Sequence, residues 1–245
     1  MLSSDSRRVV HNNYTSALII EDDVDWDVRL KHLLKDFALA SHTLAQDGGS
    51  SNIEFSNLPQ TTAPQVSPYG DDWDLLWLGH CGMHLPSTGL VVHSNDPSVP
   101  EPQYLHSWNK DERTPLGSYP PHTRVVMRQS TVPVCSLAYA VSQRGARKLL
   151  YGLGLRKLDA PFDVMLRSWC QGSDGYEQHI CPAVLPQLFD HHRRRGPESL
   201  DSDISKPNEG YRDKPLTLNI RWSVRMNMEK ILRGETDYDD QYPDT

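Results

Sequence analysis

Five carboxylates crowd the seven residues Glu21-Asp22-Asp23-Val24-Asp25-Trp26-Asp27, directly after the apolar run Ala17-Leu18-Ile19-Ile20. Carboxylates this close repel one another, and a hard divalent cation with a preference for oxygen ligands, Mg²⁺ or Mn²⁺, removes that repulsion. The C-terminal end of a strand is also where open α/β sheets bind their ligands. If the strand continues, Glu21 and Asp23 alternate onto one side and face the same ligand. The plainer reading is a solvated acidic helix start favoured by the helix dipole. Three metal chemistries separate. A calcium loop beginning at Asp23 needs Gly at its sixth position and Glu at its twelfth; Val28 and Leu34 stand there, so that reading fails. A Mg²⁺-dependent phosphatase with Asp23 as nucleophile and Asp25 as acid fits locally, but no later Lys and paired acidic motif completes it. A sugar-nucleotide transferase needs a short acidic motif after a strand, holding a metal that grips a diphosphate.

The elements that must position these acids read as follows. Ala17–Ile20 has the continuous apolar character of a buried parallel strand. Trp26, Leu30, Leu33, Leu34 and Phe37 recur at helical spacing, with Asp25 or Asp27 as cap. Residues 47–72 form a polar insertion. Trp73–Leu78 is a second buried strand, Thr123–Met127 and Val134–Val141 two more, and Ser142 caps a helix that follows. Pro161 opens another helix, and Leu216–Leu232 supplies one further element. Strands alternating with helices predict an α/β fold with a mostly parallel sheet. Residues 1–232 read as one domain, and 233–245 as a disordered acidic tail.

Composition excludes several classes. The net charge is −7, with 32 acids against 25 bases, which argues against nucleic-acid binding through bulk positive charge. Five of the acids lie from Glu235 onward, and the rest of the chain carries −2. Mean hydropathy is −0.59. No apolar run is long enough for a membrane span, and the first thirteen residues lack the apolar stretch of a signal peptide. Four cysteines without a CxxC pair suggest neither a disulfide scaffold nor structural zinc. Buried free thiols are the expectation, with a Cys170–Cys181 bond possible in a secretory compartment. Asn13-Tyr14-Thr15 is a glycosylation sequon, but its closeness to a strand expected to be buried argues against occupancy.

Five blocks in order then resemble glycosyltransferase family 25, which holds bacterial lipooligosaccharide and animal procollagen galactosyltransferases and many fungal members. ALIIEDD (17–23) resembles the family's strand and acidic motif, and WDLLWLG (73–79) its WDLIYLG block. AYAVSQRGARKLL (138–150) is similar to AYVISxxGAxKLL, PFDVML (161–166) to PxDxxL, and Ser202-Asp203-Ile204 to a short SDI element. EDDVDWDVRL and PQLFDHH are closest to the fungal members.

The resemblance implies a GT-A-like fold, Mn²⁺ (or Mg²⁺), a UDP-sugar donor, expected to be UDP-galactose, and inverting transfer to a hydroxyl of a glycan or protein acceptor. It makes Asp23 the first metal ligand, with Asp25 and His191 (or His192) as further ones. Glu21 and Asp22 would bind the ribose or metal, Arg194 the diphosphate, and Asp163 would be the general base. Residue by residue, Asp25 also reads as a helix cap, Asp163 as a dipole-favoured acid in a first helical turn, and His191–Arg195 as a solvated basic turn. Family members begin with an earlier strand–helix unit carrying a basic block, which nothing before Ala17 supplies, so the first βα unit reads as missing. A non-catalytic sugar-nucleotide or glycan binder is therefore the alternative. The Golgi or ER lumen is the compartment the resemblance implies, and the cytoplasm the one a complete leaderless chain implies.

Overall fold

The apolar runs at 17–20, 73–78, 123–127 and 134–141 supply strands of one ten-stranded sheet. The computed structural model describes residues 2–106, 115–155, 160–200 and 210–244. Ser202-Asp203-Ile204 lies outside the described residues. Helix α1 (Leu2–His11) leads into β1 (Ser16–Ile20), β2 (Val24–Trp26) and α2 (Leu30–Asp47). Then come β3 (Asn52–Glu54), β4 (Leu75–Gly79), β5 (Gly82–His84) and β6 (Leu90–His93). Strands β7 (Arg124–Met127), β8 (Thr131–Val134) and β9 (Ala138–Ser142) precede α3 (Gln143–Gly152) and α4 (Phe162–Gln171). The last elements are β10 (Ala183–Leu185), β11 (Phe189–Arg193), β12 (Gly196–Pro197), β13 (Tyr211–Arg212), β14 (Leu216–Thr217) and α5 (Met228–Leu232).

The main path of the sheet runs β1-β9-β4-β10-β7-β6-β3, with β11 joining β4, β2 and β14 beside it. The architecture is α/β, but the sheet is mixed and largely antiparallel, which corrects the expectation of a mostly parallel one. Among the described residues, only β4–β10, β4–β11 and β3–β6 run parallel. Strand β9 lies antiparallel between β1 and β4. The physical reason lies in β4. Leu75 and Trp77 face one core with α1, α3 and α4; Leu76 and Leu78 face a second core with α2. Burial on both faces makes a strand continuously apolar whichever way its neighbours run.

Strand β1 departs from expectation too. Among the described residues it pairs only with β9, at the edge of the sheet, and Leu18 and Ile20 are 43% and 40% exposed. Helix α2 starts at Leu30 rather than Trp26, because Trp26 belongs to β2 and pairs with Phe189. Asp27 does not cap α2; its carboxylate instead accepts the Arg29 N–H at 2.8 Å and pairs with the Arg29 guanidinium. Ser142 does cap α3, accepting the Gly145 N–H at 3.0 Å. Gly145 has no room for a side chain: a Cβ there would stand 1.9 Å from the Asp74 carbonyl oxygen. Asp74 lies at the start of β4, buried and paired with Arg144 and Lys148.

The acidic tail packs rather than standing free. Arg221 pairs with Asp240 and Asp244, Lys230 with Asp239, and buried Tyr242 stacks on Tyr104 at 4.4 Å. Its acids, excess by composition, meet cations held by the body of the protein.

All four cysteines are paired, as Cys81–Cys135 and Cys170–Cys181, which corrects the expectation of free thiols. Cysteines 54 residues apart in sequence are brought together by the β4–β9 pairing, which spacing could not show. Closing a loop of that length stabilises by about 4 kcal/mol in the chain-entropy view. Cys81→Ser/Cys135→Ser should therefore lower the urea midpoint markedly more than Cys170→Ser/Cys181→Ser, whose loop of 11 residues is worth about 3 kcal/mol. Equal losses would contradict this.

Candidate functional site

Strand β1 ends at Ile20, and the chain turns through Glu21-Asp22-Asp23 before entering β2. Two backbone bonds fix that turn. The Glu21 N–H donates to the Leu137 carbonyl at 2.9 Å, and the His192 N–H donates to the Asp23 carbonyl at 2.8 Å. Strand β11 pairs antiparallel with β2, placing His191 opposite Val24. The result is a convergence: Glu21, Asp23 and His191 each offer a ligand atom within 4.8 Å of the others. The Asp23 Oδ2 to His191 Nε2 separation is 3.7 Å. Two carboxylates and an imidazole, partly open to solvent, form a donor set that could hold a divalent cation such as Mn²⁺.

The electrostatics of the triad favour a cation. Burial raises the pKa of Glu21; a hydrogen bond from Ser136 opposes that, while Asp23, Asp163 and Asp22 raise it further. A raised carboxylate pKa means the folded protein favours the proton on Glu21. The associated stability is present at low pH and is lost as pH rises through the raised value. At neutral pH the charged triad is a cost that a bound cation offsets. If the triad holds Mn²⁺, its affinity should begin to fall at a pH above the ordinary glutamate range, with proton release on binding. Titration of Mn²⁺ at stepped pH checks this, and constant affinity down to about pH 4.3 would contradict it.

Asp163 sits in the first turn of α4, and its Oδ2 accepts the Cys135 N–H at 3.0 Å. The Cys81–Cys135 bond thus anchors the segment 135–137 that touches both Asp163 and Glu21. Asp22 is exposed, and its carbonyl accepts from the Arg225 guanidinium, which also donates to the Val24 carbonyl at 2.9 Å. Arg225 therefore clamps the backbone of the acidic turn. Nothing around it in the sequence marks it, because its partners are carbonyls just over two hundred positions away.

Asp25 is not part of the open cluster. It is fully buried, its Oδ2 accepting from Thr217 at 2.8 Å and from Ser223, its Oδ1 from the backbone N–H groups of Trp26 and Arg225. Burial pushes its pKa up, but bonds from His192, Ser223, Thr217 and the Arg225 N–H outweigh that and hold it low. His192 approaches the same carboxylate at 3.6 Å. Consecutive histidines thus face opposite ways, as β11 dictates. Arg194 lies past the end of β11, exposed, with its carbonyl bonded by Arg212.

Asp190, also on β11, escaped the sequence reading. It accepts from the His191 N–H, Gln187 and Asn219, and burial pushes its pKa up to about 7 against those bonds. Its contribution to stability is therefore present below the ordinary aspartate pKa of about 3.9 and is lost as pH rises to about 7. Asp190→Asn should flatten the stability–pH profile across that window in urea melts. An unchanged slope would contradict the assignment.

No protein-family model, no curated protein and no solved structure matches this chain.

Proposed function

We propose that the protein is a metal-assisted glycosyltransferase, moving a sugar from a UDP-sugar, with galactose the preferred candidate, to an acceptor hydroxyl. The observation that carries the reading is the convergence of Glu21, Asp23 and His191 at the C-terminal end of β1. The five sequence blocks similar to glycosyltransferase family 25, and the GT-A-like arrangement they imply, supply the substrate class. Mn²⁺ held by the triad would offset charge on the departing diphosphate. Glu21 and Asp23 would hold the ion, and His191 would complete the donor set. Asp163 keeps one oxygen, Oδ2, on the Cys135 N–H; the other would take the proton from the attacking hydroxyl. In that step the acceptor oxygen bonds to the sugar C1 and the C1–O bond to the diphosphate breaks. The electron pair leaves with UDP, and the proton passes to Asp163. The burial of Asp25 supports this reading over a phosphatase, which would need Asp25 as its general acid.

The test is release of UDP from UDP-galactose with Mn²⁺ and a panel of glycan and protein acceptors. Activity lost in Asp23→Ala and Asp163→Ala supports the transferase. Tight Mn²⁺–UDP binding without turnover on any acceptor would favour a non-catalytic binder.

A further inference from the structure

Asn13-Tyr14-Thr15 is the one N-x-S/T sequence in the chain. The structure places it in the turn between α1 and β1, where residues 11–16 are all exposed. Asn13 itself is in the left-handed region, φ 56°, a conformation that asparagine tolerates better than most residues. The turn is held by its backbone: the Tyr14 N–H donates to the Val9 carbonyl at 3.0 Å. The side chain uses its acceptor, Oδ1, to receive a bond from the Gln143 amide. Its Nδ2 donates to no described residue, so a substituent there breaks no contact. Along the outer side of β1 no further strand pairs among the described residues, which leaves room for a bulky group.

The disulfides supply the second, independent observation. All four cysteines are paired, and such bonds form and persist in oxidising compartments, where sequons meet their modifying enzyme. We propose that Asn13 carries an N-linked oligosaccharide. An oligosaccharide transferase takes it from a lipid-linked diphospho-oligosaccharide. The Asn13 Nδ2 bonds to the sugar C1, and the C1–O bond to the diphosphate breaks. The electron pair stays on the lipid diphosphate, and the displaced amide proton passes to a base of that transferase. Asn13 lies in the turn before β1 and the triad follows that strand's other end, so the glycan leaves the acidic turn open.

The experiment is glycopeptide mass spectrometry on the protein from a eukaryotic secretory host, reading the tryptic peptide Val9–Arg29, with thiol counting on the same sample. The expected result is a hexose- and N-acetylhexosamine-bearing Asn13 that amidase treatment converts to aspartate. Asn13→Gln and Thr15→Ala abolish it, whereas Thr15→Ser retains it. Mn²⁺ affinity is the same before and after deglycosylation. Unmodified Asn13 in protein whose four cysteines are paired overturns the proposal. So does protein from its native source with all four cysteines reduced. Neither outcome touches the transferase reading, which is measured at the triad.

Discussion

Asp25→Ala is expected to destabilise the protein by about 3–5 kcal/mol, the cost of breaking a buried, multiply bonded charge. The substitution strands the hydroxyls of Ser223 and Thr217 and the N–H groups of Trp26 and Arg225, all of which now meet one carboxylate. Those four groups come from β2, β14 and the segment before α5, so the loss unties the C-terminal segment from the acidic turn. For a chain of this size the melting temperature should drop by roughly 10 °C. Asp25→Asn should lose less, because the two hydroxyls can turn to accept from an amide. Urea and thermal melts of both variants measure this. Wild-type stability in Asp25→Ala, with only Mn²⁺ affinity lost, would mean that Asp25 is a metal ligand after all.

Asp23→Ala should behave in the opposite way. Asp23 is half exposed and raises the pKa of Glu21 by repulsion, so its removal leaves stability equal to or above that of the metal-free wild type. On the proposed transferase reading, a bound cation would lose a central ligand and the departing diphosphate its counter-charge. Turnover should fall on the order of a hundredfold to a thousandfold, the size of several kcal/mol of charge stabilisation. Initial rates at saturating Mn²⁺, together with a melt of the same sample, separate this from unfolding. Full activity in Asp23→Ala would remove the triad from the mechanism.

The contrast between these neighbouring aspartates shows what was legible in the sequence. The acidic turn after an apolar strand marked Glu21, Asp23 and the position of the candidate site, because strand period and charge crowding are local properties. His191 was accessible only as one of two adjacent histidines. The choice between them depends on the pleat of β11 and its register against β2, which are tertiary facts. Asp25 looked like its neighbours because its four partners are brought by pairing from residues 217–225 and by the local backbone. Arg225, Ser136 and Asp190 left no local trace for the same reason. In the fold, helices α3 and α4 were readable from capping and proline chemistry. Strand direction was not, since burial on both faces, rather than parallel pairing, set the composition of β4. The ordered tail was missed because composition records its acids but not the arginine and lysine waiting for them.

The most direct measurement is UDP binding by calorimetry with and without Mn²⁺, in the wild type and in Glu21→Gln, Asp23→Ala and His191→Ala. A metal-assisted sugar-nucleotide transferase should bind UDP at least about tenfold more tightly with Mn²⁺, and each variant should lose that gain. UDP affinity indifferent to Mn²⁺, or a Mn²⁺ effect that survives Asp23→Ala, would contradict it.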